Sequence, residues 1–112
     1  MEIRLDGIGT MAHGEARTFA FDRNGRPAQG FLIRHGEGYF AYLNQCRHWY
    51  VPLDLGDGDF YYPAADRIMC KTHGAAYQVD TGLCDYGPCA GAALDAFPVS
   101  IQGDQALITV PG

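Results

Sequence analysis

Two short cysteine–histidine pairs constrain this chain more than any other feature. They are Cys46-Arg47-His48 and Cys70-Lys71-Thr72-His73, with 21 residues between His48 and Cys70. Each pair offers one thiolate and one imidazole. Such donors suit zinc, copper and iron–sulfur centres, whereas carboxylate oxygens suit magnesium and calcium. A fold that brings both pairs to one centre must present them on two neighbouring loops.

Two centres accept four ligands in this order. One is a tetrahedral Cys2His2 zinc site, although zinc spacing ordinarily groups Cys with Cys and His with His. The other is a [2Fe–2S] cluster with two Cys on one iron and two His on the other. The boxes resemble those of the Rieske iron–sulfur family: Cys46-Arg47-His48 matches its Cys-x-His box and Cys70-Lys71-Thr72-His73-Gly74 its Cys-x-x-His-Gly box. The resemblance runs roughly from Leu43 to Val99. It implies that Cys46 and Cys70 bind a buried iron, and that His48 and His73 bind an outer, reducible iron near the surface. It also implies a soluble Rieske-type ferredoxin with a [2Fe–2S] cofactor. Such a protein passes single electrons from a reductase to an oxygenase-type acceptor and is not a catalyst by itself. Two alternatives stay open: a small Rieske-type subunit of a larger oxidoreductase such as a nitrite reductase, and a zinc-stabilised interaction module.

Neutral imidazoles leave an oxidised cluster near zero charge, so histidine ligation makes it easier to reduce than four thiolates would. High-potential members add a disulfide between the boxes, a Ser two residues after the second His and a Tyr four residues after it. This chain has no further Cys in either box and has Ala75 at the Ser position, which cannot donate from its side chain; Tyr77 matches the Tyr. A potential in the lower part of the family range, about −150 mV and upward, is therefore expected, with Tyr77 pulling it up somewhat. Trp49 and Tyr50 follow a ligand directly and either shield the centre or pack in the core. Pro52-Leu53-Asp54-Leu55 resembles the segment packed beneath the first box. Gly87-Pro88-Cys89-Ala90-Gly91 resembles the family's third loop, which Pro88 would stiffen. Cys84 and Cys89 are read as small buried thiols rather than as a disulfide or ligands.

The rest of the chain reads as a frame. Fifteen Gly and six Pro among 112 residues, with many short apolar runs, indicate an all-β protein of tight turns. Strands are expected over residues 1–5, 15–21, 28–34, 39–44, 60–62, 67–69, 75–79, 95–101 and 106–110. Asn24-Gly25 is a hairpin signal, and Asp57 to Pro63 reads as a longer hairpin. The resemblance implies a single domain over 1–112. Its antiparallel base is formed by 1–44 and 91–112, with a cluster-binding subdomain inserted at about 45–90.

A net charge of −5 makes nucleic acid an unfitting partner. No run of about 18 apolar residues marks a membrane span, and no signal pattern opens the chain, so the expectation is a cytoplasmic protein. Asp54, Asp57, Asp59, Asp66, Asp80 and Asp85 gather near the boxes, either as solvated loops or as an acidic rim for a basic redox partner. His13 and His35, each beside a Gly, read as surface loop histidines.

Overall fold

A computed structural model describes residues 1–46, 51–72 and 74–111. It is nearly all β, in three antiparallel sheets. The first joins β1 (Glu2–Asp6), β11 (Gln105–Thr109) and β10 (Val99–Gln102) in the order β1-β11-β10. The second joins β2 (Ala16–Arg23), β3 (Arg26–His35), β4 (Gly38–Leu43) and β9 (Ala96–Phe97), in that order. The third is built within residues 61–86 from β5 (Tyr61–Tyr62), β6 (Arg67–Met69), β7 (Ala76–Tyr77) and β8 (Cys84–Tyr86). One 3-10 turn covers Ile8–Thr10. No described helix is long and apolar enough to cross a membrane.

The second sheet lies between two cores, and its sequence shows why. Side chains alternate across a strand, yet Phe31-Leu32-Ile33 and Ala41-Tyr42-Leu43 are apolar on both parities and all buried. Phe31, Ile33 and Tyr42 join Leu53, Phe60, Ile68, Tyr77 and the four cysteines in one core. Leu32, Ala41 and Leu43 join Phe19, Phe21, Phe97 and the terminal strands in the other. Phe31 stacks on Phe60 with ring centroids 4.0 Å apart, which ties the second sheet to the segment leading into β5.

The β2–β3 hairpin turns at Asn24-Gly25, both with positive φ, as its dipeptide signal requires. Two readings need correction. The segment 95–101 is not one strand: β9 pairs with β4 while β10 pairs with β11. Pro98 separates them, and a proline has no N–H for a ladder. Nor is Asp57 to Pro63 a hairpin. Gly56 and Gly58 belong to a turn held by Asp54, and the hairpin runs from Tyr61–Tyr62 through residues 63–66 into β6. An unexpected strand, β8, leads into the third loop.

Candidate metal centre

Each cysteine of the paired boxes sits just beyond a strand end. Cys46 follows β4 and Cys70 follows β6, and both are fully buried. The two loops that they open close in the same way. Cys46 N–H donates to the Val51 carbonyl at 2.9 Å, and Cys70 N–H donates to the Ala75 carbonyl at 2.8 Å. In both, the bond spans five residues and encloses the box. Gly74 N–H returns to the Cys70 carbonyl at 2.8 Å, and Gly74 takes the left-handed φ of 72° that glycine adopts at no steric cost. One backbone bond joins the loops, from Lys71 N–H to the Leu53 carbonyl at 3.0 Å. Arg47, His48, Trp49, Tyr50 and His73 lie outside the described residues, so two of the four expected ligands and the expected aromatic neighbour Trp49 have no described geometry.

The floor of the first loop is a buried polar network. Asn44 Nδ2 donates to Gln29 Oε1 at 2.7 Å and to Asp54 Oδ1 at 3.1 Å, and Asn44 Oδ1 accepts from Leu53 N–H at 2.8 Å. Asp54 further accepts from Gly56 N–H at 3.1 Å and Gly58 N–H at 2.8 Å. Burial alone would raise the Asp54 carboxyl, but the bonds from Asn44, Gly56 and Gly58 together outweigh it and hold the group below its ordinary value. Sequence reasoning placed Asp54 among acids of solvated loops or of a charged rim, and gave Asn44 no role. The signal was an acid two and four residues before glycines, the pattern of an Asx turn.

The third loop rests directly on the second. Gly87 has φ +105°, and a Cβ there would stand 2.8 Å from Ala75 Cα, so backbone meets backbone at this point. Pro88 beside it is exposed, while Cys89 turns inward. The Tyr77 hydroxyl is fully buried between two sulfurs, 3.6 Å from Cys46 Sγ and 3.1 Å from Cys89 Sγ. Cys84 Sγ lies 3.1 Å from Cys89 Sγ and 3.3 Å from the Tyr86 carbonyl. Burial pushes the Cys84 thiol up to about 11, helped by its hydrogen bond with Cys89.

The acidic residues around the boxes are largely neutralised where they stand. Lys71 pairs with Asp57 and lies 3.7 Å from Asp59. Arg67 pairs with Asp85 at 3.0 Å. Asp66 accepts from His35 Nε2 at 2.8 Å and from the Tyr61 hydroxyl. This leaves little of a continuous negative rim. The Tyr61 hydroxyl is raised to about 12, chiefly by that bond to Asp66.

His13, His35 and Asp66 bring potential ligand atoms within 4.8 Å of one another. Hydrogen bonding already occupies them. Gly36 N–H donates to His13 Nδ1 at 2.8 Å, so the proton sits on Nε2, which donates to the Tyr61 hydroxyl at 3.0 Å. The group is a latch between the β3–β4 turn and the β5–β6 hairpin, a role that reading the two histidines as isolated surface groups missed.

The described residues fit the thiolate half of an iron–sulfur centre. Two sealed thiols open two matched loops that are bonded to each other, and thiolates are the usual ligands of such clusters.

No curated protein matches the sequence. Among solved structures, the chain is similar to the ferredoxin of carbazole 1,9a-dioxygenase from Nocardioides aromaticivorans IC177, at 25% identity over 99% of this chain and 98% of that one, with a TM-score of 0.72. A chain from the complex of reduced oxygenase and oxidised ferredoxin in carbazole 1,9a-dioxygenase matches at 27% identity, covering 96% of this chain and 100% of that one, TM-score 0.72. The terminal oxygenase from the same Nocardioides strain shares the fold at 20% identity and TM-score 0.73, with 99% of this chain matching 30% of that one. The family model for the Rieske [2Fe-2S] domain matches residues 8–101. Paired Cys/His boxes, matched buried cysteine loops and this family match agree: the chain belongs to the Rieske [2Fe-2S] domain family, whose cofactor is a Rieske-type [2Fe–2S] cluster.

Proposed function

We propose that this protein is a cytoplasmic, ferredoxin-like one-electron carrier that receives electrons from a reductase and passes them to an oxygenase-type acceptor. The observation that carries this reading is the likeness to a dioxygenase ferredoxin over nearly the whole of both chains. On this reading Cys46, His48, Cys70 and His73 hold the cluster, in a subdomain of about 45–90 inserted into a base of 1–44 and 91–112. When bound, a cluster with two thiolate and two imidazole ligands supplies a one-electron couple at about −150 to +300 mV.

The chain's own residues bury and orient. Cys46 and Cys70 are withheld from water at the loop roots. Tyr77 holds a hydroxyl within reach of the Cys46 sulfur. Gly87 lays the third loop against the second. The exposed apolar side chains of Leu55, beyond the first cysteine loop, and Tyr86, at the end of β8, suit a partner surface that need not be strongly charged.

The test is spectroscopic and kinetic. Protein expressed with iron supplied is expected to be red-brown, with equal iron and acid-labile sulfide and a rhombic signal on reduction. It should then relay electrons from a flavin reductase to a Rieske-type oxygenase in a reconstituted assay. A colourless zinc protein sinks the ligand assignment; a reducible cluster that no reductase–oxygenase pair can use sinks the carrier role.

A further inference from the structure

The third loop carries two thiols that the cluster leaves unused. Cys84 lies on β8, and Cys89 lies beyond the Gly87-Pro88 turn. They are 1% and 9% exposed, and their sulfurs are 3.1 Å apart. The backbone closes the same loop. Cys84 N–H donates to the Ala92 carbonyl at 2.7 Å, Gly91 N–H to the Cys84 carbonyl at 2.9 Å, and Ala92 N–H to the Cys89 carbonyl at 3.0 Å. The fold therefore delivers one sulfur to the other. A disulfide draws sulfurs to about 2.05 Å, so only roughly 1 Å of approach separates the present contact from a covalent bond.

We propose that Cys84 and Cys89 form a reversible disulfide, closed by exchange with a low-molecular-weight disulfide of the glutathione class. Cys89 is the entry thiol because it is the less buried of the two, 9% exposed against 1%; the Cys84 thiol is held protonated. The Cys89 thiolate attacks the small disulfide, forming a mixed disulfide and releasing one small thiolate. Cys84 then loses its proton and attacks the Cys89 sulfur, releasing the second. The protein gives up two protons and two electrons, and one small disulfide becomes two thiols. The bond closes a ring around Pro88 and braces the segment whose Gly87 rests on Ala75. Disulfides in reducing compartments are typically transient and redox-sensing, which matches a pair flanking the turn that rests on the second cysteine loop. Neither thiol is one of the four proposed ligands, with the Tyr77 hydroxyl lying between Cys89 and Cys46, so the proposal does not depend on the cluster assignment.

The sequence makes the test clean. Trypsin cuts after Arg47, Arg67 and Lys71, and no Lys or Arg follows Lys71. Cys84 and Cys89 therefore share peptide 72–112, while Cys46 and Cys70 fall on other peptides. Holoprotein is equilibrated anaerobically across ratios of reduced to oxidised glutathione, quenched in acid, alkylated in denaturant and digested. As the buffer becomes more oxidising, peptide 72–112 is expected to lose both alkyl labels and become lighter by two hydrogens, while circular dichroism reports a folded protein. Cys84→Ala should stop at a glutathione adduct on Cys89, and Cys89→Ala should leave Cys84 unmodified. Complete labelling of both thiols across the whole range overturns the proposal, as does a disulfide that forms only in unfolded protein. Glutathione on Cys84 in Cys89→Ala overturns the order of attack. The wild-type result decides by itself if a variant fails to fold, and a missing visible spectrum counts against the cluster assignment alone.

Discussion

The Lys71 N–H donates to the Leu53 carbonyl at 3.0 Å, and this bond fastens one cysteine loop to the other. Leu53 is fully buried in the core that holds the four cysteines. Truncating it leaves a cavity beneath the bond. Leu53→Ala should cost about 2–5 kcal/mol, read from urea denaturation, and should lower the iron content per chain.

Asp54 links the first loop to pH. Its folded-state pKa is depressed, so the stability it contributes is present above the unfolded carboxylate pKa and is lost as pH falls through the lower folded value. Asp54→Asn should flatten the acid limb of the stability–pH curve between pH 5 and the onset of acid unfolding, by about 1–3 kcal/mol at its top. An unchanged acid limb in denaturant titrations would refute the role given to Asp54.

Gly87 is required twice over. Its φ of +105° is unfavourable for a side chain, and the atom a Cβ would meet is backbone, which cannot rotate aside. Gly87→Ala should destabilise by about 1–3 kcal/mol and shift the third loop off Ala75. Gly91→Ala makes a matched control: it shares the positive φ but meets nothing within 4 Å. It should cost less in the same thermal denaturation series.

The buried Tyr77 hydroxyl next to Cys46 should favour the reduced, more negative state if that sulfur is a ligand. Tyr77→Phe is expected to lower the midpoint potential. A differential of about 1 kcal/mol between redox states corresponds to roughly 40 mV for one electron. The wild-type midpoint itself should fall in the lower part of the family range, because Ala75 offers no hydroxyl. A redox titration placing it well above zero, or an unchanged midpoint in Tyr77→Phe, contradicts this account.

His48→Cys replaces a neutral donor with a charged one. A cluster should still assemble, with a lower potential. Retention of the wild-type potential would remove His48 from the ligand set.

Short-range chemistry was legible in the sequence. The Cys/His spacing, the Asn24-Gly25 turn and the apolar runs of β3 and β4 are local patterns, and they led to the all-β class and the family. Long-range pairing was not legible. Nothing near Asp54 in sequence says that Asn44 will bury it, and nothing near His13 says that Tyr61 and Asp66 will close on it. The segment 95–101 reads as one strand until its two halves find different partners across Pro98. Cys84 and Cys89 are two ordinary small residues until the turn between them sets their sulfurs 3.1 Å apart. Donor chemistry is a property of residue type and spacing, so the chain alone pointed to the family and to its candidate ligands. Which buried polar groups satisfy one another depends on which strands become neighbours, and only the tertiary structure decided that.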